Sequence, residues 1–315
     1  MLIAYLYLLA LGNCFTQQIL TVQRSPKFKS LNRYFKQNDP ETNDTDFNVL
    51  DDIGLNPNYS WPEVLEELTD LNRQFHHKQY KLFLLQRHGE GYHNIAPDLV
   101  SNWTCHWQLV KGNGEMEWYD AQLTPTGIDQ ITSLSNSIAR EIEHRNMPLP
   151  HSYYVSPLRR TLQTWNLTWP SITSDRPVVK EYARETYGIG TESQRHSKKY
   201  IEAYYPFATF EPGFTEEDEL WEADLHESTQ HRNYRAAQLL SDIFVHDSNM
   251  VISVVSHSGL IKSILNVIGH RKWELKTGQM IPVVIKVDYS KRGKQFNLSK
   301  PWGKLPDYCQ KPTAF

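Results

Sequence analysis

Arg87, His88 and Asn94 fall within one short segment, Arg159 and Arg160 follow Ser156-Pro157-Leu158, and a second histidine sits in Ser256-His257-Ser258-Gly259. If the fold brings them together, Arg87, Arg160, His88 and His257, with Asn94 and the free N–H groups of helix starts, suit a compact anion, most naturally phosphate. Arginine fits because its planar fork meets phosphate oxygens two at a time. Hydrolysing a phosphate monoester demands up to about 21 orders of magnitude, of which one general acid supplies only about two to four. Without a metal, the remainder must come from a protein nucleophile, a cationic cage and fixed geometry. A neutral imidazole can be the nucleophile, provided its other nitrogen donates to a carbonyl and fixes the tautomer. The chain contains no HExxH, CxxC, GxxxxGK[ST] or GxGxxG, so no metal or nucleotide cofactor is expected.

These residues converge only if particular elements carry them. KLFLLQ (81–86) leads into Arg87-His88-Gly89, YYV (153–155) into SPLRRTLQTW, and MVISVVS (250–256) into HSGLIKSILNVIG. Each is a short apolar strand, a polar turn and then a helix. Ser156 is the expected N-cap and Pro157 the first helical residue of the second unit, and Gly269 ends the helix of the third. Further strands are expected near 177–182 and 282–287. The alternation predicts an α/β fold, a three-layer α/β/α sandwich with a mainly parallel central sheet. Ligands in such sheets lie beyond the carboxyl ends of the strands, so all three turns should share one rim. Ser60 with Glu63 has capping-box spacing before one amphipathic helix, and Thr124-Pro125 opens another with Ile128, Ile131, Leu134, Ile138 and Ile142 along one face.

The 315 residues are 39% hydrophobic and 22% charged, with 33 Lys and Arg against 36 Asp and Glu. That composition excludes disorder throughout and offers no positive field for nucleic acid. Residues 1–14 contain the apolar run LIAYLYLLAL, of signal-peptide length and too short to span a bilayer, with cleavage expected after Gly12 or Cys14. Residues 15–59, broken by Pro26, Pro40 and Pro57, read as an extended polar arm over the surface, leaving 60–315 as the catalytic domain. Asn43, Asn58, Asn102, Asn166 and Asn297 are glycan acceptor sites. Loss of Cys14 would leave Cys105 and Cys309, either one disulfide in an oxidising compartment or two unrelated thiols. A secreted or cell-wall location is expected, a cytoplasmic one being the alternative. His76, His77, His93, His226 and His231 lack paired ligand spacing with a carboxylate. The acidic run 214–227 reads as a solvated face, and the aromatic stretch 103–119 as a long insertion that either walls the site or packs into the fold.

Arg87-His88-Gly89 with Asn94, then LTPTGIDQ (123–130), SPLRRTLQT (156–164) and SHSG (256–259), resemble the histidine phosphatase superfamily. The likeness covers roughly residues 80–290 and lies with the phosphoglycerate-mutase-like branch, closest to its fungal phosphomutase homologues. It implies that His88 is the phosphorylated nucleophile, Arg87 and Arg160 the phosphate clamps, His257 the second pocket histidine and Asn94 a phosphate contact. Arg159 is then a solvated helix charge. The superfamily's proton donor is a glutamate that ARETYGIG places at Glu185, with Glu181 and Glu90 as competitors. A metal-independent phosphomonoesterase acting on a small phosphorylated substrate is therefore expected. The alternatives are a phosphoglycerate-type phosphomutase and a non-catalytic phosphate-binding protein.

Overall fold

The register of apolar residues along KQYKLFLLQR decides the layering. In the computed structural model, which describes residues 25–305 and Cys309, Leu82 and Leu84 face one buried cluster while Phe83 and Leu85 face another. A strand with apolar residues on both sides must be covered on both sides. The chain runs through β1 (Pro26–Leu31), α1 (Trp61–Gln74), β2 (Lys78–Arg87), α2 (Tyr92–Leu99), α3 (Pro125–Arg145) and β3 (Ser152–Val155). It continues through α4 (Arg159–Thr168), β4 (Val178–Val179), α5 (Lys198–Tyr204), β5 (Thr209–Phe210) and β6 (Leu225–Glu227). The last elements are α6 (Thr229–His246), β7 (Val251–Ser256), α7 (Ser258–Val267), β8 (Met280–Arg292) and β9 (Trp302–Lys304).

The seven-stranded sheet has the order β1-β8-β2-β7-β3-β4-β5. From β2 to β5 the strands are parallel, and β8 and β1 add an antiparallel edge. Helices α1, α3 and α4 cover one face through Trp61, Val64, Leu134, Ile138 and Leu162, and α6 and α7 cover the other through Leu240, Ile243, Leu260 and Ile264. This is the expected three-layer sandwich. Because β2, β7 and β3 are adjacent and parallel, their carboxyl ends place the three polar turns side by side.

Local expectations met different fates. Ser60 and Glu63 form the capping box of α1, and the Thr124 hydroxyl accepts from the Gly127 N–H at the start of α3. Ile131, Leu134 and Ile138 are buried but Ile128 is exposed, so the apolar stripe of α3 is narrower than its sequence suggests. Gly269 follows α7 with φ of +68°, the left-handed turn that glycine tolerates. The helix after β3 starts at Arg159, not at Pro157, with Leu158 as its N-cap; the Ser156 hydroxyl is engaged elsewhere. Residues 25–59 are not an arm over the surface. They contribute β1 to the sheet and bury Tyr34, Phe35, Val49, Ile53 and Leu55 in the main core. The signal-like segment 1–14 lies outside the described residues.

Cys105 and Cys309 form a disulfide. It joins the aromatic insertion, where Trp103 and Trp107 pack edge-on against buried Trp118, to the chain end beyond β9. Trp103 and Trp107 thus pack into the fold, and the two cysteines are one disulfide, not two unrelated thiols.

Candidate active site

His88 follows the last residue of β2, and its N–H donates to the Ser256 carbonyl at 3.1 Å, which pins it to the end of β7. Its Nδ1 lies 2.7 Å from the Gly89 carbonyl. A carbonyl can only accept, so Nδ1 carries the proton and Nε2 keeps its lone pair. Burial, with the Arg160 and Arg87 charges, holds the His88 pKa well below its usual value, which favours the neutral ring. The loop is locked from below: the Gly89 N–H donates to Thr164 Oγ1 at 3.1 Å and the Glu90 N–H to Gln130 Oε1 at 2.9 Å.

Arg160 is buried on α4 and donates through Nη1 to the Glu192 carbonyl at 2.8 Å; Arg87 donates through Nη1 to the Leu275 carbonyl at 2.8 Å. In both, Nε is shielded from solvent and has no partner among the described residues. Burial pulls Arg160 down to about 10 and lowers Arg87 as well. An incoming anion would satisfy these groups. Arg159 is not the solvated charge expected of it. It is buried, donating to the Asp120 carbonyl through Nε at 2.6 Å and to Glu117 through Nη2 at 2.9 Å.

His257 caps α7, with its ring centroid 5.0 Å from that of His88. Its Nε2 contacts Ser156 Oγ at 2.8 Å, and its buried Nδ1 has no partner among the described residues. A third ring, His93, sits 5.3 Å from His88 with its Nδ1 likewise buried and unpartnered. Burial and Arg160 lead the causes that hold His93 and His257 far below the usual histidine value. Sequence reasoning placed Ser156 at a helix cap and weighed His93 only as a metal ligand, so it missed both contacts with the pocket. The spacing of His93, next to Asn94 on the first turn of α2, was the available signal.

Asn94 is placed by α2, but its Oδ1 accepts the Gly91 N–H at 2.9 Å, which makes it a helix cap in this structure. Its expected phosphate contact would have to come from the amide nitrogen. Glu185 accepts from the Thr186 N–H at 2.9 Å and, through its other oxygen, from the Gly259 N–H at 3.0 Å in the first turn of α7. A Cβ on Gly259 would lie 2.0 Å from the Glu185 carboxylate, so this approach requires glycine. The two competitors are occupied elsewhere. Glu181 is ion-paired with Arg184 and Arg195, and Glu90 accepts from the Thr124 hydroxyl at 2.7 Å. Glu185 opens instead on a cleft of about 490 Å³ that also reaches Thr104, Gln108, Glu192 and Lys304.

At the rim of this mainly parallel α/β sheet a buried histidine, two under-partnered arginines and further imidazoles are gathered. The chain belongs to the histidine phosphatase superfamily, branch 1, whose family profile matches residues 83–296. It is 43% identical over 311 residues to Phosphomutase-like protein 3 of Candida albicans, covering 97% of this chain and 94% of that one. It is 39% identical over 280 residues to a probable phosphoglycerate mutase of Arthroderma benhamiae, covering 82% and 83%. Among solved structures, Entamoeba histolytica phosphoserine phosphatase in complex with 3-phosphoglyceric acid has a TM-score of 0.38 at 19% identity, covering 68% of this chain and 98% of that one. No helix among the described residues is long and apolar enough to cross a membrane.

Proposed function

We propose that this protein is a phosphomonoesterase that works through a phosphohistidine at His88 and needs no metal. The observation that carries the reading is the His88 ring itself: Nδ1 is committed to the Gly89 carbonyl, which leaves the Nε2 lone pair beside Arg87 and Arg160. Nε2 attacks phosphorus and the P–O bond to the leaving group breaks. Arg87, Arg160 and His257, with the Asn94 amide, hold the phosphoryl oxygens, and Glu185 delivers a proton to the departing oxygen. Water then attacks phosphorus, giving a proton to the Glu185 carboxylate as the P–N bond breaks, which releases phosphate and restores both neutral His88 and protonated Glu185.

The names of the relatives favour a second reading, in which the phosphoryl group returns to a bound intermediate as in a phosphoglycerate-type mutase. Against it stands the cleft beside Glu185, where two carboxyls and one exposed lysine among the described lining residues suit a glycerate carboxylate poorly. A purely phosphate-binding role is disfavoured because nucleophile, clamps and second histidine are all retained. Passage through the secretory pathway belongs to this proposal. It is supported by the Cys105–Cys309 disulfide and by the exposure of Asn43, Asn58, Asn102, Asn166 and Asn297 as glycan acceptors.

Release of phosphate from 4-nitrophenyl phosphate at several acidic pH values, with EDTA present, tests the reading. Turnover in the parent that disappears in His88→Ala is expected. Turnover that EDTA abolishes, or that survives in His88→Ala, would overturn it.

A further inference from the structure

The cleft beside Glu185 holds a second carboxyl that the phosphoryl transfer does not use. Glu192 lies in the single turn Thr191–Ser193, and its carbonyl accepts Arg160 Nη1, so the position of this turn is coupled to a phosphate clamp. Its side-chain Oε2 is shielded from solvent and has no partner among the described residues. A Cβ on Gly190 would lie 2.1 Å from that same oxygen, so the carboxyl folds back into the space a side chain at Gly190 would take. Both Glu185 oxygens, by contrast, accept backbone N–H groups. The Glu192 carboxyl is lifted to about 7 by burial, its own N–H and Arg160 opposing and Glu185 adding to the rise. A protonated carboxyl both donates and accepts, as a hydroxyl-bearing ligand requires.

The other walls are mixed, with Ile189 and Leu305 set among polar groups. Thr104 and Gln108 come from the insertion, Thr186 and Ser193 from the segment after β4, and His226 from β6, with exposed Lys304 at the edge. No Trp, Tyr or Phe lines the cleft among the described residues, and His226 contributes its one aromatic ring.

We propose that Glu192 is a specificity-determining residue of this cleft, which binds a hydroxyl of a polyol or sugar leaving group and disfavours phosphomonoesters whose leaving group carries a carboxylate. The inference rests on the phosphatase reading of His88 and names the substrate class of that same site.

Full-length protein is assayed with glucose 6-phosphate, glycerol 2-phosphate, 3-phosphoglycerate and 4-nitrophenyl phosphate, comparing the parent with Glu192→Ala and Glu192→Gln. The parent is expected to prefer the hydroxylated esters over 3-phosphoglycerate. In Glu192→Ala, kcat/KM for the sugar and polyol esters should fall about five- to tenfold more than for the aryl ester, mainly through KM. Glu192→Gln, isosteric and still able to hydrogen-bond, should recover most of that loss and narrow the discrimination against 3-phosphoglycerate. It also carries the test if the alanine variant misfolds. Equal factors on all four substrates, or an unchanged order of preference in both variants, would overturn the inference while leaving the phosphatase reading intact. A folded parent that releases no phosphate from any of the four would overturn both.

Discussion

Two sets of buried or partly buried arginines lie close together in this molecule, and they are satisfied in opposite ways. Arg184 meets Glu181 and Asp218, Arg195 meets Glu181, and Arg235 meets Glu227, so each has a carboxylate from its own chain. Among the described residues, Arg87 and Arg160 donate to main-chain carbonyls and to no carboxylate. The electrostatics follow: Arg184 and Arg235 are held above the usual arginine value, where their carboxylate partners outweigh burial, whereas Arg87 and Arg160 are pulled below it because burial outweighs the more distant carboxylates around them. A buried charge without a partner costs several kcal/mol. The chain completes the ion pairs of the loops after β4, while those at the rim are open to the anion of the proposed function.

The contrast is broken most severely at the nucleophile. His88→Ala should lower turnover by about a thousandfold or more with little loss of stability, as steady-state rates beside thermal melts would show. Exchanging the two arginine sets should separate stability from activity. Arg235→Ala strands the buried Glu227 carboxylate and should cost about 3–5 kcal/mol in urea unfolding. Arg160→Ala removes an unpaired charge and should leave the unfolding midpoint near or above that of the parent while activity collapses.

A smaller effect comes from pH. His88, His93 and His257 have folded-state pKa values well below the usual histidine value. The unfolded chain therefore binds more protons than the folded one below about pH 6.5, and the part of the stability these three groups control must decline as pH falls through that value. Inorganic phosphate should offset the decline by favouring the charged rings, which melting curves at pH 7 and pH 5.5 with and without phosphate would reveal. The smallest change is expected at the cleft wall. Replacing Cys105 and Cys309 together by serine frees the insertion from the chain end, raising KM about two- to threefold with kcat nearly constant.

The three strand–turn–helix units were legible because each strand is an uninterrupted apolar run and each turn is polar. What the sequence could not show is long-range. Tyr34, Phe35, Val49, Ile53 and Leu55 enter the core singly from irregular chain, so no period betrays them and residues 25–59 looked like a surface arm. The antiparallel pairing of β8 with β2 is decided by the path of the chain, not by the residues of PVVIKV. Ser156 has the chemistry of an N-cap, yet its hydroxyl meets His257, a residue 101 positions away, and the helix starts later. Arg159 is indistinguishable in type from Arg160; only Asp120 and Glu117, arriving from the insertion, assign it to the internally paired set. Glu192 carried no motif at all, and its place in the cleft emerges only once Gly190 and Arg160 surround it.

The central claim is that the rim is completed by a phosphoryl group carried on His88. Reaction with a radiolabelled aryl phosphate, whose good leaving group makes opening of the P–N bond the slow step, followed by alkaline quench and peptide mapping, tests it directly. The expected result is an alkali-stable, acid-labile label on the peptide containing His88, absent from His88→Ala. A label on any other residue, or an equal label in His88→Ala, would contradict the account.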